Sequence, residues 1–420
     1  MRSQLYAWLL KHYPLQLESL RWYVDLIRRF RRRDPWHPLP APAPIPAGSS
    51  MWQPSARLIL GMHWLALGGA EAFAIECLQM ALHLGWHVWV ITEHGSPSFY
   101  SLPPGVQHLP LQGLTQDQRI QCILDLLRAC PGAVVHNHHC ISLYAALARI
   151  RAELPQQSLR LIDSLHIDER LDGGFVRISS VWGHYLDATH VISQRLFALL
   201  RRTGPTRVLR LGYLLPSHAV GSLPEPNLLR SLDQGRLSLC IYSRLVWQKR
   251  PFLTCALARH LLLWGEQQGF SQLQLRVIGS GPLQASLQRM LQHDSVLSRF
   301  ARFDHASPDA REVLESSDLL LQCSANEGIT LSSIEALERG CLVVSTAVGA
   351  QQELLAKPFL LPPDPLWLML TGVNKVQRLL SDPDWRDQAL QAQRSSWNAL
   401  QSAPRGLDVI RHLYGVGACD

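Results

Sequence analysis

The sequence predicts an α/β protein with two doubly wound domains, each a parallel sheet covered by helices on both faces. Three observations lead there. From Arg57 onward, short apolar runs alternate with longer stretches of helical period, the pattern of strands joined by crossover helices. The alternation lapses once, in the Gly- and Pro-containing stretch from Leu211 to Pro226, and resumes at Leu237. At 420 residues, 47% of them apolar, the chain is long enough for two well-buried cores.

The first 34 residues read as helical. Pro14 suits a first helical turn, and Leu17, Leu20, Val24, Ile27 and Phe30 recur at helical spacing. Arg21, Asp25, Arg28, Arg29 and Arg31 to Arg33 fall largely elsewhere. A basic amphipathic helix over residues 15–33 suits an anionic membrane surface, or else docks on the protein's own body or a partner. Residues 35–50, PWHPLPAPAPIPAGSS, read as a semi-extended spacer. The first alternating series runs through RLILGMH, the tight turn Gly68-Gly69 and a helix from Ala70 to Leu84 stopped by Gly85. It continues through HVWVIT, AVVHNHH, LRLIDSLH and ATHVIS. The second contains LSLCIYS, LQLRVIG, SRFARFD, LLLQCS, LVVSTAV and FLLP, and Trp385 to Leu413 is predicted helical. Two sheets of this kind place a ligand crevice at the carboxyl ends of their strands.

Composition excludes several classes. The net charge of +7 is uneven: residues 1–50 carry eight basic and three acidic side chains, so +5 of it lies in the extension. That argues against nucleic-acid binding by the body. No apolar stretch approaches the roughly 18 to 20 residues that span a bilayer. Charged residues recur through the N-terminus, unlike a signal peptide. The nine cysteines are scattered without a CxxC pair, as small core residues in a reducing cytoplasm.

The chemistry concentrates in SANEGITLSSIEALERGCLVVSTAV, which begins at Ser324. It reads as loop, helix and strand, with Glu327 where the helix begins and Glu335 about two turns on. The amides of Gly328, Ile329 and Thr330 would be free donors of a helix N-terminus, which suits phosphate. Carboxylates beside such a site suit sugar and ribose hydroxyls, which donate hydrogen bonds. The pattern points to a sugar joined to a nucleoside diphosphate. A second signal converges on it. Only four of the 40 basic residues are Lys, and Lys249 lies in CIYSRLVWQKRP, after an apolar run. Arg244 and Lys249 bracket the loop leaving that strand, either as ordinary surface charges or as a planar fork and a point charge for phosphate. Together with the Glu pair, phosphate is the better reading.

These residues resemble the retaining glycosyltransferases of family 4, which have the two-domain GT-B fold. The resemblance covers roughly Arg57 to Glu353 and is carried by LGGAEAFAIECLQMALHLGWHVWVIT, YSRLVWQKRP, VIGSGPLQASL and EGITLSSIEALERGCLVVSTAVGAQQEL in that order. It implies that Arg244 and Lys249 contact the donor diphosphate, that Glu327 meets the transferred sugar and Glu335 the ribose, and that Gly68 and Gly69 approach the phosphates. It implies a cleft His contacting the reacting sugar, best matched by His138, and a second cleft candidate in His166. The alternative for either is a core or rim histidine. Ser280 and Gly281 would touch the base or diphosphate, or simply form a turn.

The expected domains are an extension at 1–50, an acceptor domain at 51–220 to which 385–420 returns, and a donor domain at 221–384. The expected reaction retains anomeric configuration, with no metal and no cofactor beyond the nucleotide-sugar donor. The expected acceptor is a glycan or a lipid-linked saccharide, and the expected location is the cytoplasm, peripheral on the inner membrane face. HNHHC, from His136, lacks the separated partner pair of a zinc site, so no metal is expected there. The chain departs from the family at Ser243, at Asp304-His305-Ala306 and at Thr330, changes expected to narrow the space around sugar or base. Two other classes compete. One is a non-catalytic relative that binds or scaffolds. The other is a Rossmann oxidoreductase, disfavoured by the lack of a convincing GxGxxG motif with a downstream acidic residue.

Overall fold

The structure, a computed structural model, describes residues 2–31, 55–66, 68–95, 100–168, 174–203, 208–216, 221–304 and 311–416. The spacer at 35–50, Cys419 and the departures at His305 and Ala306 lie outside these residues. The chain begins with two helices, α1 (Arg2–His12) and α2 (Pro14–Arg31). The first series then gives β1 (Arg57–Met62), α3 (Gly69–His83), β2 (His87–Thr92), β3 (Gln107–Pro110), β4 (Val134–His138), β5 (Arg160–Leu165), β6 (Ala188–Val191) and β7 (Val208–Leu211). The second gives β8 (Arg236–Tyr242), α4 (Pro251–Gln267), β9 (Gln272–Ile278), β10 (Ala301–Asp304), β11 (Leu319–Gln322), α5 (Leu331–Leu337), β12 (Leu342–Thr346) and β13 (Leu360–Leu361). Helices α6 (Pro383–Gln401) and α7 (Gly406–Leu413) end it.

Both sheets are parallel and doubly wound, with orders β3-β2-β1-β4-β5-β6-β7 and β10-β9-β8-β11-β12-β13. Central strands such as β4, β11 and β12 are buried along their whole length; β11 and β12 accordingly open on apolar runs, whereas β4 (VVHNH) buries histidines and an asparagine. Two strands escaped the sequence reading. QHLP (β3) is mostly exposed and polar, and VLRL (β7) is half exposed, so neither carries the apolar run of a buried strand. SRFARFD divides into the short helix Leu297–Phe300 and the strand β10.

Among the described residues, 215–402 form one compact unit with the N-terminal helices, and 55–214 form the other with residues from 403 onward. The division therefore falls slightly before the expected residue 220. Helix α6 stays with the second unit instead of returning to the first. Trp397 Nε1 donates to the carbonyl of Gly221 (2.9 Å), and Gln393 bridges Leu354 and Ala356. Only α7 joins the first unit, where Gly406 N bonds to the Tyr213 carbonyl at 2.8 Å.

The N-terminal helices are part of the second unit, not a separate extension. Helix α4 is buried almost all round its first two turns, from Pro251 to Ala258, because the sheet covers one side and α2 packs on another. The contact is anchored by Glu18, only 2% exposed, whose carboxylate accepts from Leu253 N (2.7 Å) and Phe252 N (3.4 Å). These are free amides of the first turn of α4, which has no side-chain cap of its own. Arg21 lies over the Trp247 ring (5.3 Å), and Tyr23 donates to Asp364 Oδ1 (3.1 Å).

Burial pushes the Glu18 carboxyl up to about 8, against the opposing pull of the Leu253 amide, the Arg250 charge and the Phe252 amide. A carboxyl raised in the folded state contributes stability that is complete below its unfolded value and is lost as pH rises through the folded one. Wild-type stability should therefore fall, relative to Glu18→Gln, from about pH 4.5 to about pH 8. Urea titrations of both proteins at several pH values would read this. Parallel pH profiles would contradict it.

Candidate active site

In each sheet the chain runs outward from the middle, returns to the middle and proceeds the other way. The order reverses between β1 and β4 and between β8 and β11, which pair directly. Loops leaving such a pair turn in opposite directions and open a crevice beyond the strand ends. The loops after β8 and β11 carry Arg244, Lys249 and Glu327. The loop after β1 carries Gly68 and Gly69, and β4 ends on His138.

In the second unit these loops are stitched together. Ala325 N donates to the Gln248 carbonyl (2.8 Å), and Gln248 Nε2 to the Asn326 carbonyl (2.9 Å). Arg250 is buried with left-handed backbone (φ 48°). Its guanidinium donates to the carbonyls of Cys323, Ser324 (2.9 Å) and Pro363 (2.7 Å), tying three loops to one side chain. Lys249 and Glu327, 78 residues apart in sequence, form a mostly buried ion pair of 2.5 Å. Arg244 is half-buried, and its guanidinium makes no ion pair or hydrogen bond among the described residues.

Helix α5 begins later than expected. Thr330 is its N-cap, so Gly328 and Ile329 lie in the loop before it. The amides of Gly328, Ile329 and Thr330 nevertheless donate to no protein group among the described residues. The Thr330 hydroxyl turns inward to Gln322 Oε1 (3.2 Å) and Ser333 Oγ (2.5 Å), so this departure does not fill space on the loop's outer side. Glu335 sits on the fifth residue of α5, half-buried. Ser280 and Gly281 pack their backbone on the loop after β8, where Leu245 N donates to the Ser280 carbonyl (2.8 Å). A Cβ on Gly281 would lie 2.5 Å from the Leu245 carbonyl oxygen, and one on Gly279 would lie 2.1 Å from that of Ser243. Close backbone approach therefore accounts for these glycines. At Gly68 a Cβ would meet Glu71 Oε2 at 2.1 Å, and Glu71 is held there by Trp64 Nε1 (2.7 Å).

In the first unit His138 joins a buried chain of imidazoles. His136 and His138 lie two apart on one face of β4, and Ser164 on β5 pairs with His190 on β6. Burial pushes His136, His138 and His166 well below the usual histidine range, helped by neighbouring imidazoles, and pushes His190 down to about 4. All four are neutral, so each has one N–H, and the network assigns it. The Gly212 carbonyl can only accept, so His190 Nε2 donates to it (2.9 Å). His190 Nδ1 then accepts from Ser164 Oγ (2.9 Å), which accepts from His136 Nε2 (2.7 Å). His136 Nδ1 is left a lone pair, facing the Tyr414 hydroxyl (2.8 Å) and His138 Nε2 (3.2 Å). His138 Nε2 must donate there, so His138 Nδ1 accepts from His166 Nε2 (3.1 Å). The terminal atom, His166 Nδ1, is a buried lone pair with no partner among the described residues.

Both nitrogens of His138 are thus occupied by other histidines. The atom left to meet a ligand belongs to His166. Cys77 Sγ and ring nitrogens of His136 and His138 lie within 4.8 Å of one another, a grouping with metal-ligand character. A cation there would displace the bonds just described, and burial holds Cys77 as a thiol, well above its usual range.

Sequence reasoning missed Glu18, Arg250 and Gly349. Glu18 lies on the N-terminal helix, where no motif singles it out. Gly349 has φ 54°, and a Cβ there would lie 1.6 Å from the Glu327 carbonyl oxygen. The motif AVGAQQEL contained it, but the reason appears only when the loop after β12 folds behind Glu327.

Residues 238–382 match the family model for glycosyl transferases group 1, a span from β8 to the end of the helix before α6. No curated protein matches the chain. Among solved structures it is similar to sucrose-phosphate synthase from Thermosynechococcus elongatus, at 18% identity over 86% of this chain and 100% of that one, with a TM-score of 0.60. It is also similar to HepE of Anabaena in complex with UDP (14% identity, 86% and 98% covered, TM-score 0.60). A third is a UDP-forming α,α-trehalose-phosphate synthase from Burkholderia xenovorans (12% identity, 87% and 100% covered, TM-score 0.59). The fold is GT-B.

Two measurements test the geometry. Gly349→Ala should displace Glu327 and weaken nucleotide binding at least roughly ten-fold, since a clash with backbone cannot relax as a rotamer can. Unchanged affinity by calorimetry would count against this backing role. Imidazole nitrogen NMR should find His166 and His138 as neutral Nε2–H tautomers through pH 6 to 8. A protonated Nδ1 on His166 would break the assignment.

Proposed function

We propose that the protein transfers a hexose or similar sugar from a nucleoside diphosphate sugar, most simply a UDP-sugar, to a hydroxyl of a glycan or lipid-linked saccharide. The carrying observation is the Lys249–Glu327 pair at the strand-order reversal, in loops where, among the described residues, the Arg244 guanidinium and the amides of Gly328 to Thr330 have no protein partner. One small site thereby offers cations and amides for a diphosphate and a carboxylate for sugar hydroxyls. The group 1 match over the same residues supports this reading, and so do similar structures described as UDP-bound and UDP-forming.

The roles follow from charge. As the bond to the anomeric carbon breaks, negative charge grows on the diphosphate. Arg244, Lys249 and the loop amides stabilise it without needing a divalent cation. Lys249 is held by Glu327 before the donor arrives, so it is already oriented. Glu327 would receive hydrogen bonds from the sugar, and Glu335 from the ribose. Departure and attack on one face, with retention, suit a site whose carboxylate is committed to an ion pair rather than poised as a nucleophile. On the first unit, His166 Nδ1 would accept a substrate hydroxyl, with His138 fixing its tautomer. Gly68 and Gly69 would let the backbone approach a phosphate at the start of α3 once the Glu71 carboxylate, which lies against Gly68, turns aside.

Thermal unfolding with UDP, GDP, ADP, CMP and NAD in parallel tests the donor class. A nucleotide at about 100 times its dissociation constant adds roughly 2.7 kcal/mol. A rise with one nucleoside diphosphate is expected, and a rise with NAD alone would favour an oxidoreductase. Lys249→Ala should lower kcat roughly a hundred-fold or more, and Glu335→Ala should mainly raise the donor KM. Wild-type turnover in Lys249→Ala would sink the assignment.

A further inference from the structure

The segment from Trp247 to Leu253 carries Lys249, and two sets of contacts hold its backbone. One set belongs to Arg250, which grips the carbonyls of Cys323, Ser324 and Pro363. The other comes from a distant part of the sequence, the helices α1 and α2.

Trp247 lies two residues before Lys249, in the same short turn. The Arg21 guanidinium sits 5.3 Å over its ring, attracted by the negative face of the indole. Tyr6 on α1 meets the ring edge-on at 6.4 Å, and Phe252 packs on it at 6.1 Å. Beyond Lys249 in sequence, Glu18 receives the amides of Phe252 (3.4 Å) and Leu253 (2.7 Å). Tyr23 donates to Asp364, the residue after the Pro363 carbonyl that Arg250 holds. Helix α2 therefore grasps the chain before Lys249, after it, and at the loop to which Arg250 ties it.

This arrangement bears on one atom. The Lys249 ammonium is held by Glu327 at 2.5 Å, and its side chain is only 14% exposed. A lysine side chain has more rotamer freedom to lose than almost any other. Fixing its ammonium therefore needs a backbone that does not move. We propose that Glu18 and Arg21 are positioning residues for Lys249. Through the first turn of α4 and through Trp247, they clamp the backbone on both sides of it and so keep the ammonium on Glu327. The consequence for turnover rests on the reading of Lys249 as a diphosphate ligand. The clamp itself belongs to the free protein and needs no nucleotide.

The chain has only four lysines, Lys11, Lys249, Lys357 and Lys375, so amine labelling resolves each by mass spectrometry. The full chain would be labelled with an acetyl N-hydroxysuccinimide ester without nucleotide. Glu18→Ala should raise the labelling rate of Lys249 roughly five-fold or more, by local opening. Lys357 and Lys375, in the same unit, should label as in wild type. Glu18→Gln keeps an oxygen for the Leu253 amide and should restore protection. Arg21 is half-exposed, so Arg21→Ala keeps the test open if Glu18→Ala fails to fold. It should raise Lys249 labelling about two-fold, since an exposed cation–π contact is weak. UDP affinity by calorimetry should fall in Glu18→Ala, and fall no further in Lys249→Ala when Glu18→Ala is added, because both changes act through one group. Unchanged Lys249 labelling in both alanine variants overturns the clamp, whatever the protein binds. An equal rise at Lys357 and Lys375 also overturns it, as general loosening. Selective labelling of Lys249 in a protein without UDP affinity would uphold the clamp and remove the diphosphate role of Lys249.

Discussion

Everything at the candidate site depends on where the strand order reverses. A parallel sheet with right-handed crossovers can bring two strand ends together without a connecting helix between them only at that point. In the second sheet the point falls between β8 and β11, and 78 residues of chain are thereby compressed into the contact of Lys249 with Glu327. In the first sheet it falls between β1 and β4, bringing a Gly-Gly turn and a histidine-rich strand end to one edge. Neither set of residues is local in sequence. The topology gathers each set at the ends of paired strands.

A helix N-terminus is the other recurring part, and the protein treats its helix ends unequally. The helix Ile141–Glu153 has its first turn filled by Glu93, which accepts from Ser142 N (2.8 Å) and pairs with Arg119. The first turn of α4 is filled by Glu18. Both ends adjoin the reversal points, yet both are closed by the protein's own carboxyl groups, which satisfies their amides and fills the place an anion would take. Among the described residues, the loop leading into α5 receives no such carboxylate. Glu18 also secures α4 immediately after Lys249.

The sheets and the loop leading into α5 were legible in the sequence because most buried parallel strands carry apolar runs and because EGITLSSIEALERG has Glu327, Gly328 and Glu335 close together. The edge strands β3 and β7 were not legible, since exposure leaves them without that signature. The long C-terminal helix was read as a helix, but its allegiance was not. That depends on Trp397 reaching the Gly221 carbonyl, a contact no periodicity encodes. The same holds for α2, whose apolar stripe announced a binding face without naming α4. The evidence for that pairing lay in α4 itself, too apolar around its first turns to face water. His138 drew attention through its motif, while the available nitrogen of His166 emerged only from the hydrogen bonds of four strands.

That histidine chain shows how an uncharged network can still be directional. Neutral imidazole donates at one nitrogen and accepts at the other, so a row of them has two possible directions, reversed at every bond. Were both open, the last nitrogen would be a donor in some molecules and an acceptor in others. The Gly212 carbonyl removes the choice, because it has no proton to give. Its effect passes through His190, Ser164, His136 and His138 and leaves His166 Nδ1 as an acceptor. The Tyr414 hydroxyl, brought to His136 by the C-terminal segment, can donate or accept and so follows this direction by donating to His136 Nδ1. Burial holds the rings neutral, and neutrality preserves the alternation, since a protonated ring would donate from both sides and break it. A carbonyl on one edge strand's connection thereby fixes the polarity of an atom several side chains away, and gives that atom one role toward a hydroxyl.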